Sequence, residues 1–225
     1  MKKLLKLPEE YNEEYFESKY ADFTKKKGGV IPKFYSIKQH ISQTINTTGL
    51  QILEIGCGYG FLLREFQDGN QLYGIDISEF AIKQTHEYLN AKLNVHDIQE
   101  SVPFNQNFDL ILAIDVLEHL SKLETALTNI KQMMHSKTLL VIEIPLFTGS
   151  FYNKLIWKLV FDKDPTHIVK IPYHQLKKIM NSHGFKNIFC GTVLELPGFT
   201  KIISGPRWMS LTGAHYGYWR LSAKE

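Results

Sequence analysis

The chain reads as an α/β protein, a parallel sheet covered by helices on both faces. Three features predict this. From Leu50 onward, short apolar runs alternate with stretches of helical periodicity, the order that builds parallel strands joined by crossover helices. Three glycines at alternate positions in "LEIGCGYG", Leu53 to Gly60, follow the first of those runs directly. The composition, 44% hydrophobic and 22% charged over 225 residues, is ordinary for a globular chain and long enough for one substantial core.

The elements follow in order. Phe34, Ile37, Ile41 and Ile45 recur at helical spacing and predict a helix packed on the core ahead of the sheet. "LQILEIG", "QLYGIDI", "KLNVHDI", "FDLILAIDV" and "KTLLVIEIPL" predict five strands, and "FLLREFQ", "EFAIKQTHEYLN" and "SKLETALTNIKQMM" the helices between them. "YHQLKKIMNSHGF" carries Leu176, Ile179 and Met180 on one face and stops at Gly184. "KNIFCGTVLEL" and "GYWRLSAKE" then predict a late pair of strands. "KKKGG", Lys25 to Gly29, is the nearest thing to a linker.

Charge and composition exclude some functions. A formal net charge of +3 is too slight to argue for a polyanion as partner, so no nucleic acid is expected. No window approaches the roughly 20 apolar residues of a membrane span, and the apolar start of "MKKLLKLPEE" ends at Pro8, short of a secretory signal. Cys57 and Cys190 are the only cysteines, too few for a disulfide framework or a cysteine-based zinc site. A cytoplasmic protein is expected.

The glycine loop asks for a ligand. Dinucleotide binders of the Rossmann type want a further glycine where Phe61 stands, because a pyrophosphate must reach the helix N-terminus. Here the pattern is Glu54, Gly56, Gly58, Gly60. Asp76, closing the next strand, can accept from both hydroxyls of a ribose, and Asp97, closing the third, from an adenine amino group. Together "LEIGCGYG", "GIDIS", "NVHDI" and "DVLEHL" resemble a class I S-adenosylmethionine-dependent methyltransferase over about Leu50 to Phe185. The small-molecule enzymes of quinone biosynthesis that methylate oxygen are similar in "VLEHL" and "THI".

That resemblance implies a Rossmann-like, seven-stranded, mostly parallel sheet with helices on both faces and an antiparallel last strand. It also implies S-adenosyl-L-methionine as cofactor, with the Gly56 to Gly60 loop at its methionine part, Asp76 at the ribose, and Asp97 and the Ile98 backbone at the adenine beside Ile114. The full cofactor set is Glu54, Gly56, Cys57, Gly58, Gly60, Asp76, Ile77, Asp97, Ile98 and Ile114, with Cys57 read as a small residue filling the loop. The expected activity is methyl transfer to a small-molecule acceptor, at oxygen. The rivals are a nucleic-acid methyltransferase, which would want an Asn-Pro-Pro-Tyr-like tetrapeptide where "AIDVLEHL" stands, and a non-catalytic cofactor-binding protein.

An oxygen acceptor needs a base. His167 in "DPTHI", in the stretch expected to cover the acceptor, ranks ahead of His119 in "DVLEHL", at the exit of the fourth strand. Asp115, Glu118 and His119 stand at i, i+3 and i+4 and form a set that could hold a divalent metal, although no metal is expected and capping by Asp115 is the simpler reading. Residues 1–33, with Tyr11, Tyr15, Phe16, Tyr20 and Phe23 at helical spacing, are expected to form a lid on a methyltransferase domain of residues 34–225, with acceptor-side insertions at 146–172 and 197–216. The stripe Phe151, Tyr152, Leu155, Ile156, Leu159 and Val160 in the first insertion is core, a wall of an apolar acceptor pocket, or a membrane contact.

Overall fold

The computed structural model describes residues 11–16, 31–145, 171–196, 199–204 and 214–221. Helix α1 (Pro32–Ser42) precedes strands β1 (Gln51–Ile55), β2 (Gln71–Asp76), β3 (Lys92–Val95), β4 (Phe108–Ile114), β5 (Met134–Pro145), β6 (Phe185–Leu196), β7 (Phe199–Ser204) and β8 (Ala214–Leu221). Between them lie α2 (Phe61–Glu65), α3 (Glu79–His86), a 3-10 turn at Leu117–His119, α4 (Leu123–Gln132) and α5 (Tyr173–Ser182). The strand order is β3-β2-β1-β4-β5-β8-β6-β7. From β3 to β5 all neighbours are parallel, and β8 inserts antiparallel between β5 and β6.

The sheet has one strand more than expected. β7 pairs antiparallel with β6, Leu196 opposite Phe199 across Pro197 and Gly198. Its six residues, Phe199-Thr-Lys-Ile-Ile-Ser204, carry a β-branched signal too short to stand out between the Pro-Gly before it and the Gly-Pro after it. The expected insertion at 197–216 therefore contains this strand and the first residues of β8.

Strand periodicity sorts the core. Leu53, Ile55, Ile111, Ala113, Leu140 and Ile142 face α4 and α5, where Leu127, Ile130, Leu176 and Met180 pack on them. Ile52, Leu110, Leu112, Leu139 and Val141 face the other way, against Ile37 and Ile41 of α1, Leu62 and Leu63 of α2, and Ile82 of α3. Helix α1 has Ile31 at its N-cap and Pro32 at N1, with no side-chain cap. Its stability comes from packing: Ile37 and Ile41, one turn apart, are fully buried, each worth about 1.5–3 kcal/mol. The same alternation turns Glu54 of β1 and Glu143 of β5 toward the α1–α3 side, which decides their partners below.

Among the described residues, no helix is long and apolar enough to cross a membrane. The stripe at Phe151 to Val160, together with Tyr20 and Phe23, lies outside the described residues.

Candidate active site

β1 sits where the chain turns from building outward through β2 and β3 to building outward through β4 and β5. In open α/β sheets the carboxyl ends at such a switch point hold the ligand. Here they open into a cavity of about 390 Å³ whose wall includes Glu54, the Gly56 to Gly58 loop, Asp76, Asp97, Ile114 and His119.

Gly56, Gly58 and Gly60 all have positive φ, and protein neighbours set much of that demand. A Cβ on Gly56 would come within 2.5 Å of Val116, and one on Gly60 within 2.6 Å of Thr85. Thr85, from α3, donates its hydroxyl to the Gly58 carbonyl at 2.9 Å and clamps the loop to the next helix. Gly60 is also the N-cap of α2 and has no side chain to offer. Glu54 supplies the missing cap from below, accepting from the Leu63 amide at 3.0 Å. Burial, with the charge of Asp76, pushes the Glu54 carboxyl well above the usual carboxylate range. Cys57 is buried, its sulfur against Gly74, and burial with the charges of Asp76 and Glu54 pushes its thiol well up. That fits a filler and not a nucleophile.

Asp76 is held from both sides. One oxygen accepts from the Gly58 amide at 2.8 Å and the other from the Ser78 amide at 2.9 Å. Each oxygen keeps a lone pair for a further donor. Burial pushes its pKa up, and amide bonds from Ser78, Gly58 and Ile77 pull it back. Ser78 then caps α3 through the Ala81 amide and donates its hydroxyl to the Tyr11 carbonyl. Asp97 closes a tight turn after β3, accepting from the Gln99 amide at 2.8 Å and from the Gln99 side chain. The Gln99 carbonyl oxygen accepts from the Lys122 amide at 2.8 Å, and Asn129 of α4 donates to the Ile98 carbonyl at 2.8 Å. Gln99 and Asn129 thus position the Asp97–Ile98 turn. Asn129 is a polar residue on the buried face of α4, a signal visible in the helical periodicity.

Residues 11–16 close over this half. Asn12 accepts from the Tyr15 amide at 3.2 Å and starts a helical turn. Phe16 is buried, its ring 5.0 Å from Tyr59 and tilted against Phe80. Tyr11, Tyr15 and Phe16 form part of the cavity wall.

The ends of β4 and β5 are built differently. Asp115 follows β4 with φ of 54°, in the left-handed region that asparagine and aspartate tolerate best. It pairs with Lys33 of α1 at 2.6 Å, and the same ammonium lies 3.0 Å from the fully buried Glu143. Lys33 and Glu143 escaped the sequence reading, although a glutamate inside "LLVIEIP" is itself a signal of a buried acid needing a cation. Glu118 is buried too, its carboxyl 3.8 Å from the His119 imidazole. Asp115, Glu118 and His119 do not converge: among the described residues no three acidic, imidazole or thiol groups are placed to hold a metal ion, and Asp115 engages Lys33. His167 lies outside the described residues.

The wall suits a ligand with a ribose and an adenine but no phosphate. The Glu54 carboxyl already occupies the N-terminus of α2, where a pyrophosphate would otherwise sit. Lys122 is the one lysine or arginine on the cavity wall among the described residues. Carboxylates and aromatic rings are instead what attract a sulfonium.

Comparison with known proteins agrees. A family model described as a methyltransferase domain matches residues 22–188. An uncharacterised protein of Methanocaldococcus jannaschii is 30% identical over 176 residues, covering 75% of this chain and 69% of that one. A ubiquinone biosynthesis O-methyltransferase of Rhodopseudomonas palustris is 30% identical over 99 residues, covering 42% of this chain but only 39% of that enzyme. The crystal structure of magnesium protoporphyrin IX methyltransferase from Synechocystis, with bound SAH, shares the fold at a TM-score of 0.64 and 17% identity, over 93% of this chain and 97% of that one. The chain belongs to the methyltransferase-domain family, as an enzyme of the class I fold that uses S-adenosylmethionine.

Proposed function

We propose that the enzyme transfers the methyl group to an oxygen of a small-molecule acceptor, with His119 as the base. The observation that carries this reading is the His119 imidazole on the cavity wall at the exit of β4, across the switch point from the glycine loop. When bound, S-adenosylmethionine supplies an electrophilic methyl on a sulfonium. Asp76 orients the ribose, Asp97 and the Ile98 backbone orient the adenine, and Tyr11, Tyr15 and Phe16 exclude water from above as a lid. Such positioning supplies most of what an in-line displacement needs. The acceptor oxygen's electron pair forms the new C–O bond, the C–S bond breaks onto sulfur, and the hydroxyl proton passes to the His119 imidazole. Ile77, Cys57 and Ile114 line the same cavity.

The test is turnover of S-adenosylmethionine against a panel of phenols, aliphatic alcohols, carboxylic acids and RNA, followed by His119→Ala and His167→Ala on the acceptor that reacts. His119→Ala should lower kcat about 100- to 10,000-fold and remove the acidic limb of the pH–rate profile. A His119→Ala variant that keeps its rate, with His167→Ala losing it, moves the base to His167. Methylation of RNA alone would reverse the substrate class.

A further inference from the structure

The direction of the Asp97 carboxyl is set by Gln99, its neighbour on the same cavity wall. The Gln99 side chain is fixed at both ends. Its Oε1 accepts from the Lys122 amide at 2.8 Å and from the Ser121 hydroxyl at 3.2 Å, just ahead of α4. A backbone amide can only donate, so the Gln99 Nε2 is turned the other way, toward Asp97. There it lies 3.2 Å from Oδ1 and 3.1 Å from Oδ2. The Gln99 amide adds a third bond, to Oδ1 at 2.8 Å. Two donors thus fill Oδ1, while Oδ2, with one, keeps a lone pair for a ligand.

The rest of the turn is tied in the same way. The Glu100 amide donates to the Asp97 carbonyl at 3.0 Å, and Asn129 donates to the Ile98 carbonyl at 2.8 Å. Of the amides from Ile98 to Glu100, that of Ile98 is the one these bonds leave to a ligand among the described residues. The turn therefore offers one fixed acceptor, Asp97 Oδ2, and one donor, the Ile98 amide. Adenine answers both, with a 6-amino donor beside the N1 acceptor. A 6-oxopurine reverses both, bringing an oxygen to the carboxyl and an N1–H to the amide, and unpaired polar groups then cost the complex its affinity. A carboxyl free to turn would relieve that conflict by reaching for N1–H. Held by Gln99, it cannot turn without breaking its bonds.

We infer that Gln99 is a positioning residue for base specificity: by tying Asp97 to the start of α4 it holds one carboxyl oxygen as a fixed acceptor, so that the enzyme takes an adenosyl cofactor and rejects its 6-oxo counterpart. The inference rests on the reading of Asp97 and the Ile98 backbone as the adenine site.

The experiment is isothermal titration of the full chain with S-adenosylhomocysteine and with S-inosylhomocysteine, in which a 6-oxo group replaces the 6-amino group. Wild type, Gln99→Met and Asp97→Ala are compared. The methionine keeps the length of the side chain and removes its hydrogen-bonding groups. Wild type should prefer the adenosyl compound by about 100-fold or more, because a site built to pair with an N–H rejects a ligand that lacks it. In Gln99→Met that preference should fall about tenfold, the adenosyl compound losing affinity while the inosyl compound holds or gains. A preference unchanged in Gln99→Met overturns the inference, whether both affinities fall together or neither moves. A wild type that binds both compounds alike overturns it as well. If Asp97→Ala binds S-adenosylhomocysteine as tightly as wild type, the reading on which the inference rests is overturned instead. Should Gln99→Met fail to fold, Gln99→Glu takes its place, since it still accepts from Lys122 and Ser121 but offers no N–H to Asp97, and an unchanged preference is again fatal.

Discussion

The two halves of the crevice solve the problem of buried acids in opposite ways. At the ends of β1 and β2 the carboxylates of Glu54 and Asp76 accept backbone amides from Leu63, Gly58 and Ser78. At the ends of β4 and β5 the acids depend on side chains brought from far away, Lys33 bridging Asp115 and Glu143 across more than 80 residues. Among the described residues, the side chain in ion-pair range of Glu118 is the His119 imidazole, at 3.8 Å. The first half is tied down by its own backbone amides, whereas the second is held by side-chain pairs distant in sequence. The proposed function places cofactor binding on the first half and proton transfer on the second.

The comparison can be broken most forcefully at Lys33. Lys33→Met removes the ammonium that lies 3.0 Å from buried Glu143, and removing one member of a buried pair costs about 3–5 kcal/mol. Chemical denaturation should show that loss. A change below about 1 kcal/mol would mean the lysine is not what holds this half together. A smaller effect is expected at Ser78, which caps α3 and ties down the Tyr11 carbonyl. Ser78→Ala should lower stability by about 1 kcal/mol and weaken cofactor binding by loosening residues 11–16. Unaltered binding would detach that segment from the cavity.

Much of the first half was legible because its instructions are local. Glu54, the three glycines and Asp76 stand within one β-α-β unit, so spacing alone places them on one edge. The second half was not legible. Lys33 and Glu143 meet only because the period of two in β5 turns Glu143 toward α1, and nothing near either residue announces the other. The glycines signal a close approach to the backbone, and at Gly56 and Gly60 the approaching groups are Val116 and Thr85. β7 was missed because a six-residue strand between turn dipeptides looks like a loop.

A subtler test uses pH. Glu54 has its folded-state carboxyl raised by burial, so its contribution to stability is full below the unfolded carboxylate range and is lost as pH rises through the folded value. Glu54→Gln retains an acceptor for the Leu63 amide and removes the charge. The stability of the variant relative to wild type should therefore rise between pH 5 and pH 8 in urea titrations. A difference that stays level or falls would show that the carboxylate is stabilised in place.

The most direct measurement is isothermal titration of S-adenosylhomocysteine into wild type, Asp76→Ala and His119→Ala. On the proposed ribose role, Asp76→Ala removes charge-assisted bonds worth about 2–4 kcal/mol together, so affinity should fall roughly 30- to 1,000-fold. His119→Ala, on the reactive half, should bind within about threefold of wild type while losing turnover. If Asp76→Ala binds as wild type does, or if both variants lose affinity alike, the division of the crevice into a binding half and a reacting half is wrong.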